Sequence, residues 1–506
     1  MRLVTPLEMM KLEDLTNQSG VSYDSMMDQA GSGLAVHIAR AALEHSKTDL
    51  LFLCGNGNNA GDCFVAAAKL AKQFNVTVCM TAGIPKTRTA YTKYRQLKNI
   101  PILSTQDEIR EAVRSASVII DGVFGIGFRG ELPPFIRELS GIITEAQDKL
   151  CIAVDIPSGG SGLNGTVAEG TLHCTMTVTF GAAKTGMFIP PLSEYCGAVY
   201  MVEIGIPEDA FAQLAYPVNH LADPDIRALL PARPMNAHKG MFGTLLTVAG
   251  CRNMPGAAML AVQAALRTGV GLSILASEEG VCRMLVSQSP ESMMLPLPTD
   301  NAGKLTAQSV PALLDHAKNA SAVLIGCGLG LNDGIRKLVA ELLAQITCPV
   351  ILDADGLNAV ASGIDILRKA KAPVILTPHP GEMARLMRCS VSDIQKDRIS
   401  AAKKLAARFP NTVVVLKGSG TVIATAEHAS VNTTGNSGMS KGGSGDVLAG
   451  IIAGLAAQHI PPEDAAKIGV YLHGLAGDCA AAEFSRRGML PSDIIRQLPL
   501  LFGEYE

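Results

Sequence analysis

The sequence predicts an α/β protein made of two three-layer αβα domains. Short apolar runs of strand length alternate along the chain with segments whose apolar residues recur at helical spacing. Many of these runs end in glycine-rich or acidic loops, which is typical of the turns between the strands and helices of a parallel sheet. A chain of 506 residues is also too long for one hydrophobic core, so we expect two domains.

The composition excludes several functional classes. Hydrophobic residues make up 48% of the chain and charged residues only 18%, which is typical of a well-packed globular protein. The net charge of -3 and the absence of tryptophan argue against a nucleic-acid surface. No apolar run approaches the roughly 20 residues of a membrane span. We therefore expect neither a nucleic acid nor a membrane as partner.

The cysteines indicate a reducing compartment. All twelve are scattered singly, without a CxxC pair or a spacing typical of metal ligands. Most lie inside apolar runs, and residues 1–20 lack the uninterrupted apolar segment of a signal peptide. We expect reduced core cysteines in a cytoplasmic protein.

In the first half of the chain, three predicted strands end in polar loops. Because the carboxyl ends of parallel strands meet at one edge of a sheet, these loops predict a ligand site there. Their amide and carboxylate oxygens suit a polar ligand or an alkali cation, although a single aspartate at such a position more often caps the next helix. The loop residues are Asn58, Asn59, Ala60, Gly61 and Asp62 before a helix expected over 63–73, then Asp121, Gly125, Ile126, Gly127, Phe128, Arg129, Gly130 and Glu131, and finally Asp155 and Ser158.

The second half repeats this arrangement after a proline-rich boundary at 205–240. Loops that carry glycine, acidic residues or histidine follow four predicted strands, and a further loop at 250–258 opens a helix expected over 259–268. The candidate residues in these loops are Gly256, Gly328, His379, Glu382, Lys417, Gly418, Ser419, Gly420 and Thr421.

A glycine-rich turn with an aspartate is the strongest single motif of the chain. Gly443, Ser444, Gly445 and Asp446 lead into an apolar helix expected over 447–458. Glycine permits positive φ and close backbone approach, so successive N–H groups at a helix N-terminus can bind a phosphate. A carboxylate in the same turn can take a proton from an attacking hydroxyl group. Taken alone, the motif is equally compatible with a tight turn in which Asp446 caps a buried helix.

With these motifs in order, the second half of the chain resembles the ribokinase-like superfamily, and within it the ADP/ATP-dependent NAD(P)H-hydrate dehydratases. The matching segments are 254–258, 377–382, 417–421 and 443–448. The first half, through 56–62, 121–131 and 155–158, resembles the Rossmann-like NAD(P)H-hydrate epimerases. Together the two resemblances cover nearly the whole chain, in the domain order of fused bacterial repair enzymes. They imply an epimerase domain over 1–220 and an ADP-dependent dehydratase domain over 221–506.

The resemblance implies a function in metabolite repair. The substrates would be the hydrates NADHX and NADPHX, in which water has added to C6 of the nicotinamide ring. One domain would interconvert their R and S epimers, and the other would dehydrate the S epimer with ADP, giving AMP and phosphate. We also expect a homo-oligomer. The motifs alone do not decide whether ADP or ATP is the phosphoryl donor. The alternative function is a small-molecule kinase with a non-catalytic N-terminal binding domain.

For the dehydratase, the resemblance implies that Asp446 is the base for the C6 hydroxyl and that the amides of 443–445 hold the transferred phosphoryl group. Residues 417–421 would contact the nucleotide, and Gly256, Gly328 and His379 would face the hydrate. Mg²⁺ would accompany ADP, with Glu382 ordering a water on the ion. The alternative for His379 is a histidine fixed by hydrogen bonds within its own proline-rich turn.

For the epimerase, the resemblance implies a K⁺ ion held by Asn59, Asp121 and Ser158. Residues 58–62, 125–131 and Asp155 would hold the hydrate. Asp155 would be the acid and base for departure and return of the C6 hydroxyl group.

Overall fold

The computed structural model describes residues 1–146 and 148–506. The chain separates into two compact units, Met1–Val218 and Asn219–Glu506. We number helices and strands along the whole chain and describe each unit by itself.

Among residues 1–146 and 148–218, the first unit contains nine strands and seven α-helices. The strands are β1 (Arg2–Val4), β2 (Asp49–Cys54), β3 (Asn75–Met80), β4 (Ile102–Leu103), β5 (Val118–Gly122), β6 (Leu150–Val154), β7 (Met176–Phe180), β8 (Ala183–Lys184) and β9 (Ala198–Val202), and β10 (Val218–His220) spans the division between the units. The helices are α1 (Pro6–Gln18), α2 (Tyr23–Glu44), α3 (Asn58–Leu70), α4 (Arg88–Tyr94), α5 (Gln106–Ser115), α6 (Pro134–Glu145) and α7 (Glu208–Phe211).

Seven of these strands form a parallel sheet in the order β4-β3-β2-β5-β6-β7-β9. Alternate residues of a strand point to opposite faces, and each face has its own core. Phe52 packs with α2 and α3 on one face, whereas Leu51 and Leu53 pack with α5 and α6 on the other. The chain runs outward in both directions from β2 and β5, so the crevice at their carboxyl ends is the place where such sheets bind ligands.

The second unit continues the numbering. Its strands are β11 (Thr244–Val248), β12 (Leu272–Glu278), β13 (Ser292–Leu297), β14 (Ala322–Ile325), β15 (Val350–Leu352), β16 (Val374–Leu376), β17 (Thr412–Leu416), β18 (Thr421–Ala424) and β19 (Ala429–Asn432). Its helices are α8 (Asp223–Leu229), α9 (Pro255–Arg267), α10 (Glu279–Val286), α11 (Val310–Ala317), α12 (Asp333–Gln345), α13 (Asp355–Ala361), α14 (Pro380–Met387), α15 (Val391–Lys396), α16 (Arg398–Arg408), α17 (Ser444–Ala457), α18 (Pro462–Gly488) and α19 (Pro491–Tyr505).

These strands follow the order β13-β12-β11-β14-β15-β16-β17-β18-β19. Pairing is parallel from β13 to β17 and antiparallel for β18 and β19. Leu324 faces a core formed by α9, α17, α18 and α19, while Val323 and Ile325 are buried on the opposite face. Both faces of the parallel part are therefore covered, as such sheets require. The fold class predicted from the sequence is confirmed.

Several element boundaries predicted from the sequence were wrong. The helices expected from 63, 259 and 447 begin at Asn58, Pro255 and Ser444, because residues assigned to loops form the first helical turn. Such turns begin with proline or follow glycine, and they lack the apolar periodicity on which the prediction rested. Asp121, expected just beyond a strand, lies inside β5. The apolar spacing over 135–147 also predicts a helix, which begins at Pro134 and ends at Glu145, and Gln147 lies outside the described residues.

The cysteines follow the prediction except at three positions. Nine of the twelve are buried and all twelve are free. Cys348 and Cys479 are half-buried and Cys389 is exposed, so the expectation that all are core residues was wrong. Cys389 follows Arg388, which ends α14 in the left-handed conformation and directs the chain outward. Among residues 1–146 and 148–506, no helix is long and apolar enough to cross a bilayer.

Close packing of α17 on α9 generates a prediction about stability. A Cβ atom at Gly450 would overlap the carbonyl oxygen of Ala261. We expect Gly450→Ala to destabilise the protein by about 1–3 kcal/mol, because overpacking outweighs the better helix propensity of alanine. Urea unfolding followed by circular dichroism measures the difference. Gly503→Ala in α19 is the control, because no atom lies within 4 Å of its added Cβ, and it should not destabilise. Equal effects of the two substitutions would contradict this view of the interface.

Candidate functional site

In the second unit, a largely buried lysine joins the ends of three neighbouring strands. Lys417, directly after β17, donates a hydrogen bond of 2.7 Å from Nζ to Oδ1 of Asp353, directly after β15. Thr377, directly after β16, donates to the same oxygen at 2.7 Å. The Lys417 ammonium also lies 3.9 Å from the Glu382 carboxylate. Since these strands are adjacent and parallel, their ends bring Asp353, Thr377 and Lys417 together at one edge, and Glu382 joins them from the first turn of α14.

Asp446 faces this group from the first turn of α17. Burial, followed by the charge of the nearby Asp353 carboxylate, raises the pKa of Asp446 to about 6, against the opposing effects of a hydrogen bond with Cys327 and the charge of Lys417. One ligand atom each of Cys327, Asp353 and Asp446 lies within 4.8 Å of the others. A carboxyl group with a pKa near 6 is ionised at neutral pH yet basic enough to accept a proton.

The start of α17 has the properties of an anion site. Gly443 precedes the helix with φ of 103°, a conformation that glycine adopts without strain. A Cβ on Gly445 would lie 3.3 Å from Lys417 Nζ, so the missing side chain leaves the ammonium group accessible from the turn. Backbone N–H groups, the helix dipole and this lysine all favour a negative ligand.

Two polar atoms at this turn support that interpretation. Ser444 Oγ and His473 Nε2 are buried and have no hydrogen-bond partner within the described part of the chain. His473, carried by α18, hydrogen-bonds with the backbone of Ser444. Burial lowers the pKa of His473 to about 4, so the ring is neutral at physiological pH. Buried polar atoms are normally paired, so these two suit a ligand that supplies the missing partner.

The remaining predicted residues of this site occupy different environments. Gly256, in the first turn of α9, has open space where a side chain would be, whereas Gly328 packs against Met254 and Ala257. His379 caps α14, and its Nδ1 accepts a 3.0 Å hydrogen bond from the N–H of Gly381. That bond supports the alternative of a locally fixed histidine. The His379 side chain is nevertheless 52% exposed, so one face of the ring is open to a ligand.

The loop 417–421 is held by an arginine that the sequence analysis missed. Arg398 lies at the start of α16. Its Nη2 atom donates to the carbonyl oxygens of Leu416 and Lys417, at 3.0 Å each, and to that of Gly420 at 3.5 Å. Gly418 and Gly420 adopt φ of 135° and 65°, and Thr421 Oγ1 donates to the Gly418 carbonyl at 2.7 Å. These bonds fix the backbone of the loop, which leaves Ser419 at its tip.

In the first unit, the three residues predicted to hold K⁺ come from the ends of neighbouring elements. Ser158 donates to Asp121 from both Oγ, at 2.5 Å, and its backbone N–H, at 2.8 Å. The Asn59 amide donates to the Val154 carbonyl at 3.2 Å. A Cβ on Gly125 would lie 3.4 Å from Asn59 Oδ1, so the glycine keeps space beside that oxygen. A carboxylate, a hydroxyl and an amide oxygen form a hard donor set that suits an alkali cation.

Asp155 forms a buried ion pair that the sequence did not reveal. The residue has φ of 66° and directs its carboxylate to Lys184, whose side chain is 1% exposed. Thr179 Oγ1 donates to the same carboxylate at 3.0 Å, and Lys184 Nζ also donates to Thr179 at 3.0 Å and to the Phe180 carbonyl at 3.3 Å. Lys184 lies in the two-residue strand β8, too short to give a periodic signal.

Two further carboxyl groups surround this pair. Burial, followed by the charges of Asp155 and Glu13, raises the pKa of Asp62 well above its ordinary value, and Lys184 opposes the shift. Burial also raises the pKa of Glu13 to about 7, against the opposing charge of Lys184. Glu13 comes from α1, far from the loops on which the prediction concentrated.

The other predicted loop residues of this unit differ in their exposure. Ala60 and Gly61 are buried, with Gly61 packed against Met27, while Asn58 is exposed at the start of α3. In the loop 125–131, the Arg129 guanidinium donates to the carbonyls of Ile126 and Phe128, at 3.2 and 2.7 Å. The exposed residues of this loop are Gly127, Arg129, Gly130 and Glu131. Within the loop, Gly125 lies against Asn59, one of the proposed ion ligands.

Comparison with known proteins identifies the family. A family model described as NAD(P)H-hydrate dehydratase matches residues 245–500, and one described as YjeF-related protein N-terminus matches residues 23–186. The bifunctional NAD(P)H-hydrate repair enzyme Nnr of Moorella thermoacetica is 35% identical over 100% of this chain and 97% of its own. The enzyme of the same name from Escherichia coli is 33% identical over 95% of this chain and 89% of its own.

This chain belongs to the family of bifunctional NAD(P)H-hydrate repair enzymes. The resemblance predicted from its motifs is confirmed. A solved ribokinase-like superfamily protein from Enterococcus faecalis is 28% identical, with a TM-score of 0.50, and the match covers 57% of this chain and 96% of that one. Within this repair-enzyme family, the matched ranges include Asp446, Lys417, Asp155 and Lys184, whereas Glu13 precedes them.

The buried pair in the first unit generates a second prediction. Lys184→Met should destabilise the protein by about 3–5 kcal/mol, because it leaves the buried Asp155 carboxylate without its partner. The double variant Lys184→Met/Asp155→Asn should recover part of that loss. Arg40→Met, which breaks an exposed pair with Glu44, is the control and should cost less than about 1 kcal/mol. Thermal unfolding is measured for the wild type, the single variants Lys184→Met and Asp155→Asn, their double variant and Arg40→Met, and strict additivity of the two single substitutions would contradict a coupled pair.

Proposed function

We propose that this chain repairs NADHX and NADPHX in two reactions. Residues 1–220 interconvert the R and S epimers, and residues 221–506 dehydrate the S epimer with ADP, giving AMP and phosphate. The observation that carries the proposal is the position of Asp446, a carboxyl group with a pKa of about 6, at an anion-binding helix start beside the buried Lys417. This arrangement suits activation of a hydroxyl group next to a phosphate.

In the dehydratase reaction, Asp446 removes the proton from the C6 hydroxyl, whose oxygen then attacks the β-phosphorus of ADP as AMP leaves. The backbone amides of Gly443, Ser444 and Gly445 bind the phosphoryl oxygens, and Lys417 balances their charge. The C6–O bond then breaks as the lone pair of the ring nitrogen forms an iminium ion. Phosphate leaves, and loss of the C5 proton restores NADH. Phosphorylation thus replaces hydroxide, a poor leaving group, with phosphate.

The donor set of this site fits Mg²⁺ bound mainly through the nucleotide. Burial raises the pKa of the Cys327 thiol well above its ordinary value, and a protonated thiol is a poor ligand for a hard cation. The Asp353 carboxylate already accepts from Lys417 and Thr377. The Oε2 atom of Glu382 accepts a hydrogen bond of 2.8 Å from the backbone N–H of His379. The other carboxylate oxygen would bind a water molecule of the ion. Mg²⁺ would neutralise charge on the phosphates, and residues 417–421 would hold the nucleotide.

In the epimerase reaction, Asp155 acts at the centre where the C6 hydroxyl leaves and returns. Loss of the hydroxyl gives a planar ring cation, and addition of water to the other face gives the opposite epimer. Asp155 stabilises the cation and Lys184 keeps the carboxylate in place. Residues 58–62 and 125–131 hold the rest of the hydrate. K⁺, held by Asn59, Asp121 and Ser158, would fix the loops that carry these groups.

We further propose a cytoplasmic location, because the free cysteines suit a reducing compartment. The substrates and ADP are also cytoplasmic metabolites. Assembly into a homo-oligomer stays a prediction, which sedimentation of the purified chain tests.

Absorbance at 340 nm tests the proposed function. The purified protein is incubated with mixed epimers of hydrated NADH, Mg²⁺, K⁺ and either ADP or ATP. We expect complete recovery of NADH absorbance with release of one phosphate per NADH, and faster recovery with ADP than with ATP. Recovery that stops at the share of the S epimer would refute the epimerase assignment. A stable phosphorylated product without NADH would refute the dehydratase and favour a small-molecule kinase.

Two isosteric substitutions should separate the reactions. Asp446→Asn should lower dehydration of the S epimer by about 10²- to 10⁴-fold, because a general base is lost, while ADP binding and epimerisation persist. Asp155→Asn should lower epimerisation to a similar extent and leave dehydration of pure S epimer unchanged. Each variant is the folding control for the other. Near-normal dehydration by Asp446→Asn, or near-normal epimerisation by Asp155→Asn, would remove that residue from its proposed role.

A further inference from the structure

The N-terminal helix α1 is attached to the strand that carries Lys184. Strand β1 pairs in parallel with β8, with Val4 opposite Lys184. Helix α1 begins two residues later at Pro6, after a capping box between Thr5 and Glu8. A Cβ on Gly181 would lie 2.8 Å from Cε of Met9, so the helix packs against the segment that leads to Lys184. Glu13 is one helical turn beyond Met9 and therefore on the same side of α1.

This placement adds a third carboxyl group to the pair of Asp155 and Lys184. The Glu13 side chain is half-buried and interacts electrostatically with both members of the pair. With Asp62, three carboxyl groups surround one ammonium group. Several ionised carboxylates cannot share a poorly solvated site with a single positive charge, so protons must be retained there.

The epimerisation requires a group that can give and recover one proton. When the C6–O bond breaks, its electron pair stays on oxygen, which takes a proton and leaves as water. Water then adds to the other face of the ring cation and returns a proton to the protein. The donor must therefore be protonated in the resting site and able to ionise during the reaction. Asp155 accepts hydrogen bonds from Lys184 and Thr179, which is the environment of an ionised carboxylate.

We propose that Glu13 is the carboxyl group that supplies and recovers this proton, while Asp155 stays ionised beside the ring cation. The inference rests on the epimerase function proposed above for residues 1–220. Glu13 is better placed for proton cycling than Asp62, because Glu13 is half-buried whereas Asp62 is buried. Partial exposure of Glu13 also leaves a path for water.

The charges around Glu13 define the expected pH dependence. The pKa of Glu13 is raised to about 7. Burial is the largest cause, Lys184 lowers the pKa, and Asp155 and Asp14 of the same helix raise it. Asp62 of α3 faces the same group, and Glu208 of α7, which packs against α1, is paired with Arg2. Epimerisation needs the protonated form of Glu13, so the activity is present below the pKa of Glu13 and is lost as pH rises through that pKa.

The experiment measures epimer interconversion without ADP, so that dehydration does not interfere. Pure S epimer of NADHX is incubated with K⁺ and the full-length protein, and the R epimer is quantified by chromatography between pH 5.5 and 9. We expect Glu13→Gln to lower kcat/KM by about 10²- to 10⁴-fold and to abolish the alkaline decline near pH 7. Asp14→Asn, a neutralised carboxylate next to Glu13 in the chain, is the matched control and should keep at least a third of the rate.

A conservative variant distinguishes proton donation from a structural role. Glu13→Asp keeps a carboxyl group on a shorter side chain, so it should retain more activity than Glu13→Gln, with its alkaline decline at a different pH. The proposal is overturned if Glu13→Gln keeps the wild-type rate and pH profile, or if Glu13→Asp and Glu13→Gln lose activity equally. Lack of interconversion by the wild-type protein would instead refute the proposed epimerase itself. Dehydration of S epimer should be unchanged in every variant.

Discussion

Both sites depend on a buried lysine that balances carboxyl groups at the carboxyl edge of a parallel sheet. Lys184 binds Asp155 in the first unit, and Lys417 binds Asp353 in the second. Removing an ion from water costs several kcal/mol even after the protein relaxes, so a single buried carboxylate is retained only with a partner and further hydrogen bonds. Thr179 and Thr377 supply those bonds. The parallel sheet makes the arrangement possible, because neighbouring strands end at the same edge and deliver partners that are far apart in sequence.

The lysines leave part of the negative charge unbalanced, and this excess gives the sites their chemistry. In the second unit, burial and the charge of Asp353 raise the pKa of Asp446 to about 6, and Lys417, which is already paired with Asp353, offsets only part of that rise. In the first unit, Asp155 occupies Lys184, and the pKa of Glu13 rises to about 7. The same constraint therefore produces a basic carboxylate in one site and a proton-holding carboxyl group in the other. In both groups burial is the largest cause of the raised pKa, and the charges of neighbouring carboxyl groups add to it.

The sequence predicted the strand ends well and the cross-strand contacts poorly. Apolar runs located the strands that precede Asp155 and Lys417, and the run of glycines located the turn at Gly443. Lys184 and Glu13 gave no signal, because a two-residue strand has no periodicity and an isolated acidic residue on an amphipathic helix resembles a solvated one. Arg398 was missed for a related reason, since its hydrogen bonds reach a loop formed almost twenty residues later. What could not be predicted is therefore pairing between distant segments, which the sheet order and register decide.

Two proposed reactions in one chain must also operate at a common pH. The dehydratase needs Asp446 as a base, so its active form appears as pH rises through about 6. The epimerase needs Glu13 as an acid, so its active form disappears as pH rises through about 7. The two active forms therefore coexist around these values, near neutral pH. If Lys417 did not lower the pKa of Asp446, or if Lys184 lowered that of Glu13 further, this interval would close. The strength of each lysine–carboxylate pair thus affects the pKa on which each reaction depends, and it also allows the two reactions to proceed at the same pH.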